Sequence, residues 1–357
     1  MNEKLTIARV LRLPEFPGDF VIFTVQNLHA AAANAFPAFG LRADGTRVLG
    51  PKFSIDLAVN REGPARSAAR ILANALANAE RKQFTISGRR TLTIDRPLVM
   101  AAINTTPDSF SDGGDLLDPA QAADAAVEAT RAGAAIVDIG GESTRPGSAP
   151  VAAGEEIARV VPAIIQILQK EPNCYISVDT TKSEVARASV EAGASMINDI
   201  SGLQFDPSLG ETAASLGVPI VLGHTRGTPA EMQTLAKYGD AVAEVFDELT
   251  EAIERARRAG IAHDRILIDP GLGFAKLAIH NWEILRRLFE FRSLGFPIVI
   301  GPSRKSFLGE LLGGRPPKDR DAATIATIVL AARAGASICR VHNAAPACDA
   351  LRVLGFM

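Results

Sequence analysis

Long apolar runs, an excess of one charge and a large complement of aromatic residues are all missing from this sequence. Aromatic residues make up 5% of its 357 residues, and 38 basic side chains nearly balance 40 acidic ones, which leaves a net charge of −2. This balance favours neither nucleic acid nor an anionic membrane as a partner. No stretch approaches about 18 consecutive strongly apolar residues, and the N-terminus does not have the pattern of a signal peptide. We therefore expect a cytoplasmic protein that binds neither nucleic acid nor a membrane.

Cysteine is scarce, and several catalytic signatures are absent from the sequence. Cys174, Cys339 and Cys348 do not have the spacing of metal ligands, so we expect free thiols in a reducing cytosol. The sequence contains no Walker loop, no dinucleotide-binding fingerprint, no His-rich metal cluster and no Ser-His-Asp order. None of these common routes to phosphoryl transfer, hydride transfer or hydrolysis is indicated.

Eight short apolar runs are present, and each ends in polar residues that can do chemistry. Stretches long enough for a helix separate the runs, which is the pattern of a parallel (β/α)8 barrel. In such a barrel the C-terminal ends of the strands surround one mouth, where active sites lie. The sequence therefore predicts an α/β fold, a TIM barrel, whose strands end in Asn104, Asp138, Asp179, Asn198, His224, Asp269, Ser303 and His342.

Internal repetition supports the barrel prediction. One sequence motif occurs three times, at residues 131–141, 191–202 and 333–343. A second motif occurs twice, as SLGVPIVLGH (215–224) and SLGFPIVIGP (293–302). Each motif combines the end of a helix, a Gly that can adopt the left-handed conformation of a helix C-cap, and a buried strand. The strands are continuously apolar, as expected where both faces of a sheet are covered.

The N-terminal part of the chain differs from the rest. We predict a small α/β appendage over residues 1–83 and a catalytic barrel over residues 84–357. Within the appendage, residues 20–26 and 53–59 are predicted strands, and residues 64–83 are a predicted helix. Because fold context places no site there, we expect a packing or oligomerisation element without a catalytic residue.

The barrel is predicted to begin with a hairpin and to continue with regularly spaced helices. Residues 84–95 alternate around Ser-Gly and are expected to plug the bottom of the barrel. A short turn is expected at 305–312, before the last barrel helix. Further helices are predicted at residues 119–132, 154–170, 182–192, 207–216, 240–260, 281–294 and 321–334.

The polar residues at the predicted mouth form two groups. The first group can bind a flat polar heterocycle through hydrogen bonds and consists of Asp179, Asn198 and Asp269. Any one of these residues could instead cap a helix. Lys305 lies at the start of a helix, where free N–H groups attract anions, and a solvated basic turn is its alternative. Arg340 stands inside an apolar strand and needs an anionic partner, either a phosphate group or an Asp carboxylate.

Three further features complete the expected site. Arg145 lies on a Gly- and Pro-rich loop and can grip an anion. Asn104, with Asp108 and Asp112, offers oxygen ligands suited to Mg²⁺, which commonly bridges protein oxygens and substrate phosphates. His342 alternates with Arg340, so both face one side of the strand. Taken together, these polar and charged residues indicate a substrate with a polar ring and a di- or triphosphate.

Seven segments of the chain carry a specific resemblance. Together they resemble dihydropteroate synthase, a family of folate-pathway enzymes on a pterin-binding TIM barrel that joins 6-hydroxymethyl-7,8-dihydropterin diphosphate to 4-aminobenzoate and releases diphosphate. The resemblance covers residues 84–357 and rests on NTTPDSFSDGG (104–114), DIGGESTRPG (138–147), SVDTTKSEVA (177–186), AGASMINDISG (192–202), IDPGLGFAK (268–276), SRKSFLG (303–309) and RVH (340–342).

The resemblance also implies roles for individual residues. The pterin-holding residues would be Asp179, Asn198, Asp269 and Lys305. The diphosphate would be held by Arg340 and His342, with Asn104 helping to bind Mg²⁺. The aminobenzoate site would be shaped by Thr144, Arg145, Phe274 and Ser306.

The resemblance further implies how the reaction proceeds. The C–O bond at the pterin methylene breaks in a loose, dissociative step, and the aromatic amine then attacks the cation. A loop carrying Phe110 and Asp112 closes over the reacting centre and excludes water. Homodimerisation through the late barrel helices is also implied.

Two alternatives remain open, and a departure from the family pattern motivates the first of them. Gly223-His224-Thr225 stands where the family usually has Met-His-Met, and the first Met normally packs on the pterin. A non-catalytic pterin-binding paralogue is therefore one alternative. The other is a pterin-dependent methyltransferase, which would not need the SRKS and STRPG segments.

Overall fold

Two compact units make up the fold in a computed structural model of the chain, which describes residues 7–11, 20–26, 28, 30–39, 41–43, 47–105, 118–145 and 147–356. The larger unit consists of residues 83–285 and 297–357. The smaller unit consists of residues 1–82 and, in addition, residues 286–296. The second segment of the smaller unit thus lies far along the chain, inside the region predicted to belong to the barrel.

The smaller unit contains an antiparallel sheet of four strands in the order β1-β2-β4-β3. These strands are β1 (Ile7–Leu11), β2 (Phe20–Gln26), β3 (Arg42–Ala43) and β4 (Arg47–Pro51). Its α-helices are α1 (Ala30–Ala35), α2 (Lys52–Asn60) and α3 (Arg66–Glu80). Two 3-10 helices, Phe36–Phe39 and Leu288–Leu294, complete the described elements of the unit.

Two predictions for this part of the chain are confirmed and two are wrong. The strand at 20–26 and the helix within 64–83 are present as β2 and α3. The predicted strand at 53–59 is instead helix α2. Ile55 and Ala58 are buried while Leu57 is 48% exposed, so burial follows a helical spacing of three rather than alternation.

The predicted helix at 281–294 is the other error. An α-helix covers only Ala278–Arg286, and the chain continues as the 3-10 helix Leu288–Leu294. Leu288 and Phe291 are both fully buried, at the three-residue spacing of a 3-10 turn. The segment therefore buries its apolar residues in a tighter winding than the sequence pattern indicated.

The larger unit begins with the predicted hairpin, which consists of β5 (Phe84–Ile86) and β6 (Leu92–Ile94). Ile86 and Ile94 pack in one cluster with buried residues of the barrel strands. Among these residues are Met196 and Ile338, the first residues of their strands. The expected plug at the N-terminal end of the barrel is confirmed.

Eight parallel strands form the barrel, in the order β12-β11-β10-β9-β8-β7-β14-β13. A parallel bridge between Ile268 and Ile298 links the two ends of this order, so the sheet is nearly closed. The predicted α/β TIM barrel is thereby confirmed. Its strands are β7 (Leu98–Asn104), β8 (Ile136–Gly140), β9 (Ile176–Asp179), β10 (Met196–Asp199), β11 (Ile220–Gly223), β12 (Ile266–Asp269), β13 (Val299–Ile300) and β14 (Ile338–Val341).

Helices alternate with these strands close to the predicted positions. Asp118 and Gln121 form a reciprocal capping box at the start of the first helix, and Gly133 ends it with φ 106°. No helix among the described residues is long and apolar enough to cross a membrane. The helices of this unit are α4 (Pro119–Ala132), α5 (Ala153–Lys170), α6 (Ser183–Glu191), α7 (Leu209–Leu216), α8 (Ala241–Arg258), α9 (Ala278–Arg286), α10 (Ser306–Leu311), α11 (Asp321–Arg333) and α12 (Ala344–Gly355).

Candidate active site

A cleft opens where the C-terminal ends of the barrel strands meet. Polar side chains from seven different strands or their following loops converge on it, as the mouth of a TIM barrel allows. The lining residues are Thr144, Asp179, Asn198, Ile200, Gly223, His224, Asp269, Gly271, Phe274, Gly301, Lys305 and Arg340.

The structure brings together most of the predicted site residues. Seven of them line the cleft: Thr144, Asp179, Asn198, Asp269, Phe274, Lys305 and Arg340. Four lie outside the lining but on segments that flank it: Asn104, Arg145, Ser306 and His342. Phe110 and Asp112, with Asp108, lie outside the described residues.

Arg340 is the centre of the polar network on the cleft floor. Its Nε donates to Asp138 Oδ2 at 2.6 Å, and its Nη2 donates to Asp179 Oδ2 at 2.8 Å. The same Asp138 oxygen accepts a hydrogen bond from Asn198 Nδ2 at 3.0 Å. The predicted anionic partner of Arg340 is therefore confirmed, and it consists of two carboxylates from neighbouring strands.

Asp138 was not assigned a role by the sequence analysis. Its side chain is fully buried, yet it links Arg340 to Asn198 and so sets the direction in which both point. A signal was available, because Asp138 interrupts an apolar strand as Arg340 does. A buried carboxylate must be paired, so two such interruptions suggest each other.

Burial and pairing act in opposite directions on the two charged floor residues. Burial raises the pKa of Asp179 to about 7, although the Arg340 guanidinium beside it acts to lower that pKa. For Arg340, burial lowers the pKa, but the carboxylates of Asp138 and Asp179 outweigh this and raise it. Asp179 can therefore change its protonation state near neutral pH while Arg340 remains charged.

Lys305 and Asp269 are two further charged residues that line the cleft. Burial lowers the pKa of Lys305 to about 8, despite the opposing effect of Asp269. The Lys305 ammonium donates to the Leu272 carbonyl and lies 4.1 Å from the centre of the Phe274 ring. Asp269 accepts from the Gly271 amide at 2.7 Å, and burial raises its pKa. Both groups are held by backbone contacts that leave polar atoms available to a ligand.

The segment after β13 connects to the end of β14. Ser303 Oγ accepts from the backbone amide of His342 at 3.1 Å and lies 2.9 Å from His342 Nδ1. Arg304 is turned away into a two-bond contact with Asp321, at 2.7 and 2.9 Å. Of the basic residues in the SRKS segment, Lys305 is therefore the one that lines the cleft.

The loop after β8, which carries Thr144 and Arg145, is anchored by a buried ionic cluster. Lys182 Nζ lies 2.6 Å from both Glu142 Oε2 and Glu156 Oε2, and Glu156 is fully buried. Glu142 Oε1 also accepts from the Val151 amide at 2.7 Å. Because both ends of the loop are held, Thr144 is presented to the cleft from a fixed position.

A chain of hydrogen bonds runs from the cleft wall at His224 to the loop after β12. Lys276 Nζ is 2.8 Å from His224 Nδ1 and donates to the Phe274 carbonyl at 2.9 Å. His224 Nε2 is 2.8 Å from Glu248 Oε2. Burial and the nearby Lys276 lower the pKa of His224 to about 4, so the ring is neutral at pH 7 and donates to Glu248.

Gly223 lies where the structure leaves no room for a side chain. A Cβ atom at this position would lie 2.6 Å from the Ile200 Cα and 2.9 Å from the Asp199 carbonyl oxygen. Two backbones approach each other too closely here for any side chain.

The residues at the end of β7 suit a divalent cation. The space beside Gly140, which a Cβ would fill, is flanked by Asn104 Oδ1 at 3.5 Å and by Asp179 Oδ2 at 3.8 Å. No group of three or more His, Cys, Asp and Glu residues that could hold a metal occurs in the described part of the chain. This donor set fits Mg²⁺, which takes one or two protein oxygens and completes its shell with phosphates and water.

Comparison with known proteins decides the family. A family model described as pterin binding enzyme matches residues 100–342. A dihydropteroate synthase from Synechocystis is 46% identical over 248 residues, which are 70% of this chain and 86% of the relative. The chain belongs to the dihydropteroate synthase family. Its members are transferases of folate synthesis, and this chain is an enzyme of that class.

Solved structures of the family share the barrel. The dihydropteroate synthase of Xanthomonas albilineans with 4-aminobenzoic acid is 42% identical with a TM-score of 0.71, covering 77% of this chain and 98% of that chain. The same enzyme was solved with 7,8-dihydropteroate, at 40% identity, a TM-score of 0.65, and coverage of 75% of this chain and 95% of that chain. The Yersinia pestis enzyme with a sulfonamide drug is 41% identical with a TM-score of 0.73, covering 76% and 98%.

Proposed function

We propose that this enzyme condenses 6-hydroxymethyl-7,8-dihydropterin diphosphate with 4-aminobenzoate to give 7,8-dihydropteroate and diphosphate, in folate biosynthesis. One observation carries the proposal: Asp179, Asn198, Asp269, Lys305 and Arg340 line one cleft at the barrel mouth. Carboxylates and a carboxamide match the alternating donors and acceptors of a fused nitrogen ring. Relatives solved with 4-aminobenzoic acid and with 7,8-dihydropteroate have the same barrel.

The floor residues are proposed to hold and polarise the pterin. Asn198 is oriented by Asp138, and Asp179 can share a proton with the ring because its pKa lies near 7. Negative charge from Asp179 and Asp269 stabilises positive charge that develops on the ring as the methylene C–O bond breaks. The bonding electrons leave with the diphosphate, and the amine nitrogen then forms the new C–N bond.

The cationic residues are proposed to receive the leaving group. Arg340 stays charged at all physiological pH values, and Lys305 is charged below about pH 8. His342 is held against Ser303 and can donate to a phosphate oxygen from the ring edge. Asn104 would hold Mg²⁺, which when bound neutralises charge on the diphosphate.

The amine substrate is proposed to enter between two loops. Thr144 and Phe274 line the cleft from the loops after β8 and β12, and Arg145 and Ser306 flank them. The Phe274 ring offers an apolar face, while Arg145 can pair with the carboxylate of the benzoate.

A direct assay tests the proposal. The protein is incubated with the pterin diphosphate, 4-aminobenzoate and Mg²⁺, and dihydropteroate and diphosphate are measured. We expect turnover, and we expect Asp269→Asn to reduce kcat/KM by about a hundredfold, because one buried charged contact to the ring is lost. Asp264→Asn, at an exposed position, is the matched control.

Two other outcomes would replace the proposed activity. Tight pterin binding without turnover would indicate a binding paralogue, and methyl transfer from a methylated pterin would indicate a methyltransferase. Either result would contradict the synthase assignment for this chain.

We also propose a cytoplasmic homodimer. Cys174, Cys339 and Cys348 are all free and buried, which suits a reducing compartment. Leu330 on α11 and Val353 on α12 are 67% and 65% exposed, and these late helices are a candidate dimer face. Light scattering of the purified protein checks the state, and Leu330→Glu is expected to yield monomers.

A further inference from the structure

Arg304 has a backbone conformation that residues other than glycine rarely adopt. Its φ is 60°, in the left-handed region, where the Cβ atom is crowded. Two residues of the candidate site flank it in the chain: Ser303, which contacts His342, and Lys305, which lines the cleft. Such a conformation persists only where surrounding contacts hold it. The placement of Ser303 and Lys305 therefore depends on the contacts that hold Arg304.

One short segment at the start of α11 holds the backbone of Arg304. The Arg304 amide donates to Thr324 Oγ1 at 3.1 Å, and the Arg304 carbonyl accepts from Arg320 Nη1 at 2.8 Å. Thr324 is buried, so water does not compete readily for the amide. The Arg320 guanidinium also lies against Gly309 of α10, where an added Cβ would be 2.5 Å from Arg320 Cζ. Both peptide groups beside the Arg304 Cα are thus fixed from the same segment.

Asp321, the first residue of α11, holds the Arg304 side chain. Arg304 Nε donates to Asp321 Oδ1 at 2.7 Å, and Nη2 donates to Oδ2 at 2.9 Å, which is the two-bond geometry that guanidinium and carboxylate groups favour. Asn343 Nδ2 donates to the same Oδ2 at 3.0 Å. The bonds from Arg304 and Asn343 lower the pKa of Asp321. One charged carboxylate therefore links the turn after β13 to the residue that directly follows His342.

We propose that Asp321 is a positioning residue for the diphosphate group of the substrate. Through Arg304 it fixes the turn that presents Lys305 to the cleft. Through Asn343 it fixes the backbone directly after His342. In the proposed function, on which this inference rests, Lys305 and His342 receive the diphosphate. Asp321 is not among the residues that line the cleft, so it acts through its partners.

Placement and charge have opposite effects at this position. The His342 ring acts to lower the pKa of Asp321, so the two side chains are close enough to interact. If charge alone mattered, removing this anion from the neighbourhood of the cationic groups would strengthen diphosphate binding. If Asp321 places those groups, removing it weakens binding, because they lose the geometry that grips the ligand. The sign of the change distinguishes the two roles.

The first measurement is the affinity of the full chain for inorganic diphosphate in the presence of Mg²⁺, by titration calorimetry. We expect Asp321→Ala to weaken binding about tenfold. Asp319→Ala removes the same charge at an exposed position two residues earlier, and we expect it to leave the affinity unchanged. Unchanged or tighter binding by folded Asp321→Ala would overturn the proposal, as would a wild type that binds no diphosphate.

A double-mutant cycle tests the route through Arg304. In the background of Arg304→Met, the effect of Asp321→Ala should shrink from about tenfold to about threefold, because one of the two partners of Asp321 is already gone. An undiminished effect would refute action through Arg304. If Asp321→Ala does not fold, Asp321→Asn replaces it in both backgrounds. This variant keeps the size of the side chain and loses the charge, and we expect about threefold weaker binding. Unchanged binding would again overturn the proposal.

Steady-state kinetics separate this inference from the proposed function. We expect Asp321→Ala to raise KM for the pterin diphosphate about tenfold while kcat changes less, whereas partial unfolding would lower kcat at unchanged KM. A wild type that binds diphosphate without forming dihydropteroate would contradict the proposed function. In that case the binding data alone decide whether Asp321 positions the diphosphate site.

Discussion

Arg340 Nε lies 2.6 Å from Asp138 Oδ2, and this contact joins the last barrel strand to the second. The same carboxylate oxygen holds Asn198, so one buried group orients two residues of the cleft floor. A group held from both sides keeps its geometry when a ligand enters, which reduces the reorganisation required during reaction.

Replacing Asp138 is the first prediction. Asp138→Asn removes the charge that Arg340 requires while keeping the size of the side chain. We expect kcat/KM to fall by about a hundredfold and the free energy of unfolding to fall by about 2–3 kcal/mol, since Asp179 still pairs with Arg340. Enzyme assays and urea denaturation measure both. Asp124→Asn, in an exposed pair with Lys170, should change neither; equal losses in the two variants would contradict a special role for Asp138.

The depressed pKa of Lys305 predicts a pH-dependent stability. Its pKa is about 8 in the folded protein against an ordinary value of 10.5, so the folded state binds fewer protons between these values. The contribution of this group to stability is therefore present above pH 10.5 and lost as pH falls through 8. Lys305→Met removes the titrating amine, so the variant should not lose this stability as the pH falls.

The measurement compares Lys305→Met with the wild type at pH 7 and at pH 10. The variant should gain stability relative to the wild type at pH 7, by at most about 3 kcal/mol because the half-buried ammonium keeps some water. The gain should shrink toward pH 10, and turnover should be nearly abolished at every pH. A stability difference that does not change with pH would contradict the lowered pKa of Lys305.

Gly223 is predicted to resist restoration of the family's side chain. Gly223→Ala places a Cβ against the backbone of Ile200, so we expect a loss of about 1–3 kcal/mol in the free energy of unfolding. Gly154→Ala is the control, since a Cβ there meets nothing within 4 Å and lies in helix α5, where Ala is favoured. A neutral Gly223→Ala would mean that the two backbones separate easily.

Lys276 is predicted to control the protonation of His224. Removing its charge by Lys276→Met eliminates one of the two leading causes that lower the His224 pKa, so that pKa should rise above about 4. Titration of the His224 ring by NMR measures it. An unchanged value would show that burial alone sets the pKa. We also expect KM for 4-aminobenzoate to rise, because Phe274 loses the Lys276 bond to its carbonyl.

Local patterns in the sequence were sufficient for most of the fold. Apolar runs and their spacing predicted the eight strands, and the hairpin at 84–95 was predicted from alternation around Ser87 and Gly88. Polar residues at strand ends predicted which side chains the cleft would gather, because parallel strands in a barrel end at one mouth. The helix α2 was mistaken for a strand, since seven apolar-rich residues fit either periodicity until one face is known to be buried.

By itself the sequence determined the barrel, its family and the residues available at its mouth, because these follow from periodicity and from the residue types at strand ends. Only the tertiary structure decided that Asp138 holds Arg340, that Gly223 marks a contact of two backbones, and that residues 286–296 belong to the smaller unit. The physical reason is that each of these depends on pairing or packing between segments far apart in the chain. Arg9 and Glu290 show it most directly, since neither charge can be buried unless folding brings the other to it.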